Sequence, residues 1–313
     1  MADEPANGPA EAAERTLAFL RHVQGGGTVE ATEWMPDEYR QRLIRFIEAH
    51  ANSEVMGALP EREWIPRAPS LKRKLGLTAK VQDEVGNGQL LYRIVEDLGK
   101  PREQMLQDLI AGRTKYHNVF HYPTKSWADV GVIAWLVDGA AVISQGALVK
   151  TSYAPYGRIM KRICWEEAFH LKHGEDICLT LAAGTPIQRD MLQEALTRWW
   201  PPVMMFHGPP TPPETDPDLR WRIKPKPNDV LRQEFLDHYV PRIRELGLVL
   251  PDPRLRKDTE TGRWLYTEPD WAELREIVRG NGPASRVRLS FRRLSYEEGA
   301  WVRDAILGRG AAA

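Results

Sequence analysis

Between Ala134 and Ile143 the chain reads Ala-Trp-Leu-Val-Asp-Gly-Ala-Ala-Val-Ile, apolar on every face of a helix except at Asp138. No rotation of such a helix solvates that carboxylate while burying its neighbours. An unpaired ionised carboxylate there would cost several kcal/mol, so Asp138 has to be protonated, paired or bound to a cation. Any fold open to this chain must bring a partner to that point.

Three further acids break apolar helical stripes. Glu167 and His170 lie three residues apart in Ile163–His170, so a helix puts them on one face, the face that also carries Met160, Ile163, Gly174 and Ile177. Glu84 sits in the stripe Leu77, Val81, Leu91, Val95, with Asn87 and Gly88 beside it. Glu54 follows Leu43, Ile47, His50 and Ala51 on one side of a helix that begins after Pro36 and is expected to end at Gly57 and Pro60. Alone, Glu54 reads as a carboxylate at the edge of a buried face.

Together the four acids lie on four helices, spaced 30, 54 and 29 residues apart. The outer spacings suit antiparallel pairs with short turns, and the middle one suits a long crossover. The pattern predicts an all-α protein, a ferritin-like four-helix bundle with extra helices and a small C-terminal hairpin. Four carboxylates would neutralise two divalent cations, and carboxylate with imidazole suits iron or manganese. A bundle with buried polar pairs and no metal satisfies the same pattern.

The rest of the chain fills in around this core. Residues 1–30 are read as a flexible tail with one helical stretch from Pro9 to Val23, residues 31–207 as the di-metal bundle, and residues 208–313 as a peripheral helical extension. Ser126 and Asp129 have capping-box spacing at the start of the third long helix. A hairpin is expected over 254–267, turning near Thr261-Gly262. The basic run Arg67, Lys72, Arg73, Lys74 reads as a solvated helix start, and the histidines of the 112–123 connection as packing residues.

Several function classes drop out. With 43 basic and 43 acidic residues, no global charge points to nucleic acid or a membrane surface. The longest apolar run, Val130 to Leu148, is interrupted by Asp138 and Gln145, which argues against a membrane span; no apolar leader is read at the N-terminus, and a cytoplasmic setting is expected. The two cysteines, Cys164 and Cys178, would stand about 21 Å apart on one helix, too far for a disulfide. They cannot hold a four-thiolate iron–sulfur cluster, so electrons would have to come from another protein. There is no Gly-rich phosphate loop, nucleophile elbow or solenoid repeat.

From about Trp34 to Ile306 the sequence resembles the catalytic subunits of bacterial phenylacetyl-CoA epoxidases. The resemblance is carried by Glu33-Trp-Met-Pro-Asp37, Lys80-Val-Gln-Asp-Glu84, Ser126-Trp-Ala-Asp-Val-Gly-Val-Ile, Trp135-Leu-Val-Asp-Gly-Ala-Ala, Thr151-Ser-Tyr-Ala-Pro-Tyr156 and Glu166-Glu-Ala-Phe-His170. It implies a monooxygenase whose di-iron centre uses O2 to epoxidise the aromatic ring of phenylacetyl-CoA in aerobic phenylacetate catabolism. Glu54, Glu84, Asp138, Glu167 and His170 are the implied ligands, catalytic through the two Fe ions. Asn87 stands where the family has His, which implies that one metal is held less tightly. Arg45, Lys115, Tyr116 and Lys224 are the implied contacts to the coenzyme A portion. The implied partners are a metal-free homologous bundle subunit, a small bridging subunit, and a flavin/iron–sulfur reductase that consumes NADPH. The rival reading, which Asn87 favours, is a non-catalytic or metal-impaired bundle subunit that binds an acyl-CoA or scaffolds the complex.

Overall fold

The computed structural model describes residues 8–309; the part of the expected tail over 1–7 lies outside the described residues. The first helices are α1 (Pro9–Gln24), α2 (Asp37–Arg62), α3 (Leu71–Asp97) and the short α4 (Arg102–Ile110). A 3-10 turn (Asn118–His121) leads to one long rod made of α5 (Trp127–Val132), a π-turn (Ile133–Val137) and α6 (Asp138–Leu148). Then come α7 (Ala154–Ala182), α8 (Pro186–Met204), α9 (Pro217–Arg220) and α10 (Asn228–Glu245). A two-stranded hairpin, β1 (Arg256–Lys257) with β2 (Trp264–Leu265), precedes α11 (Trp271–Glu276), a second π-turn (Ile277–Asn281), α12 (Ser285–Glu298) and α13 (Ala300–Ile306).

Four rods make the bundle: α2 packs along α3, α7 packs along both α5 and α6, and α3 meets α7. This is the all-α ferritin-like arrangement that the acid spacing predicts. Local chemistry sets the rod ends. The Ser126 side chain accepts from the Asp129 backbone while Asp129 Oδ2 accepts from the Ser126 N–H at 2.9 Å, the expected capping box. Arg198 of α8 holds the other Asp129 oxygen at 2.8 Å and ties that cap to a neighbouring helix. Gly262 adopts φ +68° at the hairpin turn, a conformation that favours glycine.

Three expectations need correction. First, α2 runs through Gly57 and Pro60 to Arg62. Gly57 is there for closeness, since a Cβ would lie 2.8 Å from the Phe120 ring. Second, the described part of the tail is docked. α1 buries Phe19 and Val23 beside Tyr39 and Trp221, and Val29 bridges to Tyr153. Third, the chain beyond 208 is no peripheral extension: Trp221 and Ile223 complete one core cluster, while Phe235, Leu236, Tyr239 and Val240 complete the other. Apolar area removed from water, about 25 cal/mol per Å2, drives both kinds of docking.

The Trp127–Leu148 rod is long and apolar enough to cross a membrane by composition. It is the inner rod of the bundle, packed by α7, α8 and α10. Its π-turn ends at the residue before Asp138. An inserted residue of this kind rotates the downstream turns by about 100° and is frequent at functional sites. Gly174 of α7 lies against that turn so closely that a Cβ would be 2.4 Å from the Ala134 carbonyl carbon. The aim of Asp138 is therefore set jointly by the π-turn and by the approach of α7.

Candidate metal centre

Glu54 comes from α2, Glu84 from α3, Asp138 from the first turn of α6, and Glu167 with His170 from α7; all five are buried. Glu84, Asp138, Glu167 and His170 each offer one donor atom, and the four atoms lie within 4.8 Å of one another. His170 Nδ1 is 3.1 Å from Glu167 Oε2 and 3.6 Å from Glu84 Oε1. Glu54 stands outside this foursome. Its Oε1 is 3.0 Å from His50 Nε2, and its buried Oε2 has no hydrogen-bond partner among the described residues.

Sequence reasoning missed the group at the centre of this cluster. Lys80, 1% exposed, places Nζ 2.7 Å from Glu61 Oε2, 2.6 Å from Glu84 Oε1 and 3.0 Å from Asp138 Oδ2. The last contact is an ion pair without hydrogen-bond alignment, since Asp138 Oδ2 receives no aligned donor. Glu61 is a fifth buried acid, and it falls seven residues after Glu54 on the same stripe of α2. That spacing could have revealed it. Lys80 precedes Glu84 by one helical turn, which reads as an ordinary surface pair until burial is known.

The charges are strongly coupled. Burial first, then the charges of Glu84 and Glu167, pushes the Glu54 carboxyl well above its usual range. Burial does the same to Asp138, with Lys80 opposing and Glu167 adding to the rise. Glu84 goes the other way: burial raises it, but Lys80 and His170 together outweigh burial and hold it low. Burial and Lys80 depress His170, yet the Glu167 hydrogen bond with the charges of Glu167 and Glu84 prevails and lifts it to about 9. Five carboxylates thus face one ammonium and one imidazole, an imbalance that a cation would relieve.

The donor set fits one hard or borderline divalent cation: three carboxylates and an imidazole within a single coordination span, with the orphaned Glu54 Oε2 beside them. Asp83, also missed, lies 3.3 Å from His170 Nε2, the outer partner that a ligating histidine ordinarily has. The other half is different. Asn87 is buried with its Nδ2 unpartnered. Glu166, which precedes Glu167 as Asp83 precedes Glu84, is paired instead with Arg162 at 2.9 Å. Lys80 is the positive charge set against Glu61, Glu84 and Asp138.

One cavity of about 730 Å3 joins this cluster to the surface, a size within the range of small-molecule sites. Glu54, Glu84, Asp138 and Glu167 line its inner end, and Arg45, Lys115, Tyr116 and Lys224 also line it. The four differ in availability. Arg45 and Lys115 are exposed and show no ion-pair partner among the described residues. Lys224 is already paired with Asp216 at 2.7 Å and donates to Asn228 at 2.9 Å. One face of the buried Tyr116 ring is covered by His121, stacked at 3.9 Å.

Comparison with known proteins fits this arrangement. A family model described as phenylacetic acid catabolic protein matches residues 12–301. Over 292 residues the chain is 51% identical to a 1,2-phenylacetyl-CoA epoxidase subunit of Escherichia coli (strain K12), covering 92% of this chain and 94% of that one.

Proposed function

The chain belongs to the phenylacetic acid catabolic protein family, and from that premise we propose that it is the oxygenase subunit of a multicomponent epoxidase acting on the aromatic ring of phenylacetyl-CoA. The observation that carries this reading is one continuous cavity with cations at its rim and buried carboxylates at its inner end. A coenzyme A thioester has the matching polarity, with phosphates at one end and an apolar aryl group at the other.

Arg45 and Lys115, unpaired at the rim, receive the phosphates; guanidinium and ammonium donors bind such oxyanions strongly. Phe46, Leu148, Tyr156 and Phe206 give the deeper cavity its apolar walls. They desolvate the aryl group, hold it beside the carboxylate cluster and keep water away from the reacting end. Glu84, Asp138, Glu167 and His170, with Glu54 beside them, are the residues that would hold iron. When bound, iron supplies reductive activation of O2 and delivery of one oxygen atom to the ring, its electrons coming from a flavin/iron–sulfur reductase that uses NADPH. Asp83 fixes the His170 ring through Nε2, so that Nδ1 faces the carboxylates. The complex is completed by a small bridging subunit together with a metal-free homologous bundle subunit, in a cytoplasmic setting.

A second reading has specific support. Lys80 already neutralises part of the cluster, and Asn87 offers only a neutral amide, as a non-catalytic or metal-impaired subunit that binds an acyl-CoA or scaffolds the complex would require. Iron quantification on the purified chain, followed by turnover of phenylacetyl-CoA with reductase and partner subunits present, separates the two. Bound iron with ring epoxidation supports the oxygenase. Thioester binding with neither iron nor product supports the scaffold.

A further inference from the structure

We propose that His50 and Tyr156 form a positioning relay that aims Glu54 at the metal cluster, making His50 a determinant of cation affinity although it is not itself a ligand. The inference rests on the reading of Glu54 as a donor to that cluster.

The geometry is a line of three side chains from two helices. Tyr156, at the start of α7, places its hydroxyl 2.6 Å from His50 Nδ1 on α2. On the other side of the same ring, His50 Nε2 is 3.0 Å from Glu54 Oε1, one turn further along α2. A carboxylate that holds a cation is ionised and only accepts, so with Glu54 in that state Nε2 carries the proton and the neutral ring accepts the Tyr156 O–H through Nδ1. The tautomer is thereby fixed from the far end. Neither ring is free to turn: Tyr156 is fully buried, and its ring is gripped edge-on by His50 at 5.9 Å and by Phe46 at 6.2 Å, both from α2.

The consequence falls on the two oxygens of Glu54. Oε1 is committed to His50, while Oε2 is buried and without any partner. A buried carboxylate oxygen left bare beside Glu84 is costly unless a cation completes it. His50 also lines the substrate cavity, so the relay forms part of the wall between the thioester site and Glu54. Outer hydrogen-bond partners of metal-binding side chains typically change metal affinity about 10–100-fold when removed.

The test titrates Co(II) into metal-free protein, unaltered and carrying His50→Leu, His50→Gln, Tyr156→Phe, Glu54→Gln or His50→Leu with Glu54→Gln. Affinity is read by calorimetry and visible absorption, and folding by circular dichroism and melting. Loss of the relay in His50→Leu weakens Co(II) binding about 10–100-fold, and Tyr156→Phe weakens it less. His50→Gln, whose amide N–H stands near the place of Nε2, keeps affinity within a few-fold of the unaltered chain. Because His50 acts through Glu54, the double variant loses no more than Glu54→Gln alone. Unchanged affinity in folded His50→Leu, or losses that add in the double variant, overturns the relay. Failure of the unaltered chain to take up Co(II) overturns it together with the metal-dependent function. Uptake that follows the relay without any turnover of thioester overturns only the function.

Discussion

Replacing Lys80 by Met tests the electrostatics of the whole site. The substitution keeps an unbranched apolar stem and removes the ammonium that sits 2.6 to 3.0 Å from Glu84, Glu61 and Asp138. Removing one partner of a buried ion pair typically costs about 3–5 kcal/mol, because the other charge stays buried without compensation. Here three carboxylates lose the same partner, which places the metal-free variant in the upper part of that range. At about 2 °C per kcal/mol, the low end that applies to larger domains, the melting midpoint falls by about 8–10 °C. Lys80 itself adds no pH dependence near neutrality. Burial lowers it, but Asp138, Glu61 and Glu84 together raise it well above the usual ammonium range, so its contribution is lost only as pH climbs through that high value. A divalent cation then repairs the variant. A ligand at a hundredfold excess over Kd stabilises by about 2.7 kcal/mol, and the variant gains more than the unaltered chain because the cation also replaces the missing ammonium. Differential scanning calorimetry of both proteins, metal-free and with Mn(II), measures these shifts. A metal-free variant melting within about 2 °C of the unaltered chain, or an equal response of both to Mn(II), would refute the charge argument.

Asn87→His places an imidazole three residues after Glu84, so the variant retains more metal after desalting than the unaltered chain when counted by elemental analysis; an unchanged count means that Lys80, not Asn87, limits loading. Arg45→Ala and Lys115→Ala each weaken thioester binding about tenfold, from the loss of about 1.5 kcal/mol of charge-assisted hydrogen bonding. Lys224→Ala weakens it less, because Asp216 already engages that ammonium; calorimetric Kd values for phenylacetyl-CoA decide. Gly174→Ala drives a Cβ to 2.4 Å from backbone of the π-turn, which costs about 1–3 kcal/mol of overpacking and displaces Asp138; an unchanged melting midpoint would show that the turn yields freely. Finally, burial depresses His207 well below its ordinary value, with Arg232 adding to the effect, and burial likewise pushes His121 down to about 4. The unfolded chain protonates first, near pH 6.5, so stability is present above that pH and falls as pH drops towards 4, by about 1.4 kcal/mol per unit for each group. Urea midpoints at several pH values measure the slope, and His121→Phe makes it shallower.

The helical rods and the acids they carry were legible in the sequence, because both follow from short-range rules. A carboxylate on a 3.6-residue apolar stripe is expensive unless partnered, so periodicity alone marks Asp138, Glu84 and Glu167 as interior groups. The cap of α5 and the hairpin turn were equally local, since Ser126 needs only Asp129 and the turn needs only Gly262. Lys80 was hidden by the same logic: a lysine one turn from a glutamate is normally a solvated pair, and nothing within α3 says that Glu61 and Asp138 close over it. The docking of α1 and of residues beyond 208 was hidden as well, because Phe19, Trp221 and Tyr239 find their partners only across the assembled core.

What the sequence determined alone is that several rods each carry one charge into an apolar interior, because that requires nothing beyond helical periodicity and the cost of desolvation. Which of those charges meet was decided only by tertiary structure. Glu84, Asp138, Glu167 and His170 converge while Glu54 stands beside them against His50, and the rotation and offset of each rod depend on contacts such as Gly174 on the π-turn. Those contacts join residues distant in the chain, and no local rule reports the distance between two helices.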